Sequence, residues 1–242
     1  MTPQLGPPIL AEDVLLLVTR FVPAADVAGE HALFPVLAAA VLADLGLGSH
    51  VRMLPGRGGS ARVEAVAERE PADEVLHVAW KSLLARPRGV QAALAVIGPT
   101  LRSPLLDRLV RRGDLRRTAP EGAGPAAVEN EESGRRAGLV AVVRDVLAGK
   151  ADAPRRDVAL AAVLSASGLL RRFDPEISWT STVIVRAGEL EREVPEAGAA
   201  AEAVGRAVAT ALVENVIVAA AALPGPDRPD DRKGGARGLE HP

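Results

Sequence analysis

The chain contains no cysteine and no tyrosine, and only two tryptophans and three phenylalanines among its 242 residues. Without cysteine there is no disulfide framework, no thiolate nucleophile and no cysteine metal ligand, which fits a reducing, cytoplasmic compartment. With so few aromatics, the core must be built from Leu, Val and Ala, side chains that suit close helix packing. Lysine is also scarce: three residues, so that nearly all of the 29 basic residues are arginine. Together with abundant alanine, this bias points to a GC-rich bacterial genome. The formal charge is only -2, which argues against wholesale nucleic-acid binding but leaves room for a local basic patch. The start of the chain does not read as a signal peptide, because Pro3, Pro7 and Pro8 precede the first apolar run and no basic segment does. The longest apolar stretch, Ala207 to Leu223, is broken by Glu214. It falls short of the roughly 20 residues of a membrane span and reads as a core helix.

What is present favours one helical body. Hydrophobic residues make up 48% of the chain and charged residues 25%, enough for one sizeable core. Residues 9–20 read as a short helix with Glu12 and Asp13 at the end where the helix dipole favours acids. Residues 21–31 read as a loop, and 32–47 as an apolar helix that admits Pro35 only in its first turn. A hairpin follows, with strands at Ser49–Leu54 and Ala61–Ala67 around a Pro55–Gly59 turn. Helices are predicted over 72–85, 89–97, 101–112, 135–148 and 155–172. Gly113 sits at a left-handed cap and Pro154 in a first turn. Residues 118–134 form a Pro/Gly/Glu-rich loop, and β-branched 179–186 leaves strand and helix in competition. A last helix is predicted over 197–223, before a disordered tail at 224–242. The expected fold is thus mainly α, a single globular helical domain over 8–223 with a small β-hairpin.

The chemistry-bearing motifs are few. GRGGS at 56–60 lacks the Lys-Ser/Thr of a phosphate loop and reads as the hairpin turn. The four histidines, at 31, 50, 77 and 241, have no metal-ligand spacing, so no metal and no cofactor are expected. Glu12–Asp13 and Asp73–Glu74 read as partners of helix N-termini rather than catalytic pairs, and no nucleophile elbow is present. Trp80 and Trp179 read as core anchors. The most informative run is Leu101–Arg117, with six arginines against two aspartates. On a helix over 101–112, Leu101, Leu105 and Leu109 share an apolar stripe, and Arg108, Arg111 and Arg112 are read as leaning away from it. Arginine is permanently charged and bidentate toward phosphate. Arg102, Arg108, Arg111 and Arg112 are therefore the candidate contacts for an anionic lipid headgroup, weighed against a merely solvated helix face.

Three stretches also carry a resemblance. LAEDVLLLVTR at 10–20, VLAAAVLADLGLGSHVRML at 36–54, and LLDRLVRRGDLRR at 105–117 with AGLVAVVRDVLAG at 137–149 and DAPRRDVALAAVLSASGLL at 152–170 resemble, in order and spacing, the Golgi phosphoprotein 3 family. The resemblance implies a non-enzymatic helical adaptor that binds phosphatidylinositol 4-phosphate in a basic pocket, inserts an apolar hairpin and grips membrane-protein clients. It implies a cytoplasmic protein, peripheral on the inner face of a membrane. Of the family's pocket residues, Arg102 carries over. Gly29 stands at the tryptophan position, Ala38 at an arginine and Pro99 near the second basic residue of the later helix; the hairpin should fall in the polar 118–134 segment. A winged-helix nucleic-acid regulator is the alternative reading, since LADLGLGSHVRML at 42–54 with SARVEAV at 60–66, and LLDRLVRRGDLRR at 105–117, each mimic a helix followed by a wing.

Overall fold

The computed structural model describes residues 5–21, 27–55, 61–117, 128–130, 134–150 and 152–194. The predicted last helix over 197–223 and the tail lie outside the described residues. Among those described, eight α-helices surround one apolar core, with two small antiparallel sheets at its edge. The expected mainly helical class is what the structure has.

The first helix, α1 (Leu10–Val18), is the axis of the body, for all nine of its residues are buried. It packs against α2 (Val27–Leu47), α5 (Arg102–Arg112), α6 (Gly134–Leu147) and α7 (Arg155–Ala166). In α2 the whole run from Val36 to Ala43 is buried, as a helix apolar all round must be. Its alanines at 38, 39 and 40 let neighbouring backbones approach. The predicted boundary needs correction here. The helix begins at Val27, inside the expected loop, so Pro35 lies in the helix interior. The ring removes one hydrogen bond from the helical ladder. Just before it, Gly98 of a 3₁₀ turn (Gly98–Thr100) meets α2 so closely that a Cβ there would lie 2.8 Å from the Phe34 carbonyl oxygen. Only glycine permits that crossing.

The two strands of the expected hairpin form, while its predicted turn over 56–60 lies outside the described residues. Strands β1 (Val51–Pro55) and β2 (Ala61–Ala65) pair with Val51 opposite Ala65 and Pro55 opposite Ala61, and Val51 and Val63 face the core. A two-residue strand β3 (Arg88–Gly89), where a helix start was predicted, extends the sheet beside β2. Between them, α3 (Glu74–Leu83) is capped by Asp73, whose carboxylate accepts from the Val75 and Leu76 amides. Trp80 is the buried anchor expected of it, and its indole donates to the Val66 carbonyl. Helix α4 (Val90–Ile97) leads through the 3₁₀ turn into α5, which Gly113 ends with φ of 76°.

A second hairpin follows α5. Strand β4 (Leu115–Arg117) pairs with β5 (Val128–Asn130), inside the segment predicted as loop; the rest of 118–133 lies outside the described residues. The helix predicted over 155–172 ends at Ala166, and a 3₁₀ turn (Leu170–Phe173) follows Gly168, whose φ is 70°. At 179–186 the helix wins. Thr180 accepts from the Val183 amide and starts α8 (Ser181–Glu193). A capping hydroxyl there outweighs a weak β-propensity.

Candidate functional site

The arginines of α5 part company. Arg108 is buried and turned inward: Nη1 and Nη2 donate to the two carboxylate oxygens of Asp73 at 2.9 and 2.6 Å, and Nε lies 2.9 Å from Glu12 Oε1. Arg112 donates from Nε to Glu12 Oε2 at 2.5 Å and from Nη2 to the Gly6 carbonyl at 2.7 Å. The expected outward face containing both is therefore corrected. The physical reason lies in helix geometry: Arg108 is three residues after Leu105 and Arg112 three after Leu109, so both share the apolar side of the helix. The outward lean holds for Arg111, which is exposed. It lies nine residues, two and a half turns, from Arg102, so the two leave opposite sides of α5.

The acids of α1 explain the inward turn. Glu12 and Asp13 are almost wholly buried, and buried carboxylates need charged partners. Glu12 has Arg108 and Arg112. Asp13 receives Arg135 from α6 at 2.5 Å and Arg156 from α7 at 2.7 Å, and Arg135 also pairs with Asp114. Arg156 further donates to the Pro8 carbonyl. Four guanidiniums thus neutralise Glu12, Asp13, Asp73 and Asp114. Burial pushes the Asp73 carboxyl up, but the hydrogen bonds from Arg108 and the α3 amides outweigh it and hold the group below its ordinary range. Asp44 of α2 is a fifth carboxylate beside this balanced set, and its Oδ2 accepts the Leu10 amide at 2.5 Å. Burial drives its pKa up to about 7, against the opposing pull of the Leu10 hydrogen bond and Arg156.

Arg102 has a different setting. With Ser103 and Leu106 of α5, Phe34 of α2, Pro99 of the 3₁₀ turn and Arg117 of β4, it lines a cleft of about 250 Å³. Two guanidiniums and a hydroxyl share this cleft with apolar side chains, and Asp107 pairs with Arg117 at its side. Sequence reading pointed to Arg102 and missed Ser103, Phe34 and Arg117. The arginine run did extend to Arg117, but only the turn at Gly113 and strand β4 bring that residue back beside α5. Among the described residues no cluster of three or more His, Asp or Glu side chains forms a metal site.

The two helices of the winged-helix reading offer little to a nucleic-acid groove. The first is α2, buried along its apolar run, and the second is α5, whose Arg108 and Arg112 are engaged inside. The described residues thus form a helical body with a small sheet at its edge and a cleft lined by two arginines. The sequence model of the Golgi phosphoprotein 3 (GPP34) family matches residues 10–214, and the chain belongs to that family. The family is one of non-enzymatic adaptors. No curated protein matches the chain. No helix among the described residues is long and apolar enough to cross a membrane.

Proposed function

We propose that this protein is a peripheral membrane-associated adaptor that contacts anionic, phosphoinositide-type headgroups through the cleft of Arg102, Ser103 and Arg117. The observation that carries the reading is the cleft itself. It brings Arg102 and Arg117 from separate elements together with Ser103, a donor set suited to phosphate oxygens. Family membership supports an adaptor role, and a membrane-protein client would be its second partner, at the inner face of the membrane. Of the four arginines first singled out, Arg102 belongs to the cleft, and Arg111 adds positive charge on another side of α5. Arg108 and Arg112 serve the interior and not the lipid.

Each basic residue close to an anionic surface contributes about 1 kcal/mol. The double variant Arg102→Gln/Arg117→Gln should therefore bind phosphatidylserine- or phosphoinositide-bearing vesicles more than about tenfold more weakly at low salt, with Arg111→Gln losing less. Co-sedimentation with vesicles checks this. Unchanged retention of the double variant, or retention indifferent to salt, would refute the reading.

A further inference from the structure

One end of the helical bundle carries a groove that the headgroup reading does not use. It holds about 520 Å³ between the end of α2 (Ala43, Gly46 and Leu47), the start of α7 (Val158 and Ala159) and Val194, which follows α8. Phe34, the α2 residue of the Arg102 cleft, lies about two and a half turns before Ala43. Leu47 stands exposed in the groove, and the small residues beside it let a helix backbone come close. Exposed Arg155 and Glu193 give its rim one charge of each sign.

The chain delivers an occupant to this place. Val194 has left helical geometry, with φ of -112° and ψ of 99°, and Pro195 follows it, so α8 stops on the wall of the groove. The next residues, Glu196 to Arg206, read EAGAAAEAVGR and are mostly small. Beyond them, Ala207 to Leu223 has Glu214 as its only charged residue. A helix apolar on every side is a buried one, and this stretch is too short to span a bilayer. The family match also continues past α8, to residue 214.

We infer that the start of the predicted C-terminal helix, residues 199–210, folds back into this groove of its own chain. Tethering selects that occupant. A segment joined to the rim by a few residues is present at an effective concentration on the order of millimolar, far above that of a second copy at working dilution. Charge agrees with it, for Glu202 and Arg206 stand one helical turn apart and answer Arg155 and Glu193. The contact is independent of the headgroup reading, since it shares no residue with the Arg102 cleft.

The native chain has no cysteine, so introduced thiols report alone. In the full chain, Leu47→Cys and Ile184→Cys replace residues of similar exposure, 42% and 47%. With the groove occupied, Leu47→Cys should react with a maleimide at least about tenfold more slowly than Ile184→Cys, because labelling then waits on local opening. Equal rates would overturn the inference. The occupant is identified by combining Leu47→Cys in turn with a cysteine at each position from 199 to 210 under mild oxidation. Disulfides within one chain, recurring every three or four positions, are expected, since the bond forms only where Cβ atoms come within about 4.5 Å and a docked helix presents one face. An even yield along the segment, as from a loose tether, would overturn the docking. Disulfides between chains, with protection that fades on dilution, would give the groove to a second copy and overturn it as well.

Discussion

Replacing Arg108 with methionine should lower the unfolding free energy by about 3–5 kcal/mol, the usual cost of stranding buried carboxylates by removing their partner. Methionine fills much of the same space, so lost packing would account for little of the change. The side chain it replaces is 6% exposed and bridges Glu12, fully buried, and Asp73, which also caps α3. Without the guanidinium, Glu12 keeps Arg112 but Asp73 keeps only backbone amides. Urea unfolding followed by far-ultraviolet circular dichroism measures the loss. Adding Asp73→Asn to Arg108→Met should then cost less than it does in the wild-type background, because the carboxylate it removes is already stranded. An Arg108→Met variant within about 1 kcal/mol of wild type would mean that the internal network is not what turns this arginine inward.

The second large effect is a dependence on pH near neutrality. Asp44 has a pKa of about 7 in the folded protein, raised first by burial and further by the nearby Asp13 and Asp73 charges. In the unfolded chain an aspartate titrates near 4. Between those values the folded protein holds a proton that the unfolded chain has released, so stability falls as pH rises. The slope is about 1.4 kcal/mol per pH unit across that window, and the contribution is fully present only below about pH 4. Asp44→Asn keeps an oxygen to accept the Leu10 amide and cannot ionise. It should flatten the stability profile between pH 5 and 7 and make the variant more stable than wild type at pH 8, by up to several kcal/mol. Parallel profiles for the two proteins would show that Asp44 is already ionised at neutral pH.

Much of the fold was open to sequence reasoning because local rules agreed with one another. The strands β1 and β2 were legible from the Pro/Gly-rich stretch that separates them, and the end of α5 from Gly113, whose φ of 76° only glycine adopts without strain. The errors arose where a tertiary partner decided. Pro35 suggested a helix start, yet α2 begins eight residues before it, a boundary that no local signal at the proline gives away. Strand β5 had no pattern of its own and exists through pairing with β4. The candidate site divides in the same way. Arg102 could be singled out from the arginine run and the family resemblance, whereas Arg117 needed the α5–β4 turn to reach the same cleft.

The misplacement of Arg108 and Arg112 is the more instructive error, since the sequence contained its correction. Their spacing from Leu105 and Leu109 put them on the apolar side, and Glu12 and Asp13 lie in the first turn of a helix with no polar face. Acids on such a helix must be buried, and buried acids require cations from the helices around them. The same requirement accounts for Arg135 and Arg156. Much of the positive charge that seemed to offer a surface for lipids is therefore consumed inside, which confines the proposed headgroup contact to a small cleft.

Backbone and arginine side-chain resonances followed by NMR while a soluble inositol phosphate is added test that contact most directly. Saturable shifts gathered at Arg102, Ser103, Leu106 and the Nε–H groups of Arg102 and Arg117, with Arg108 and Arg112 unmoved, are the predicted result. No saturable shift in the cleft, or shifts centred elsewhere on the surface, would contradict it.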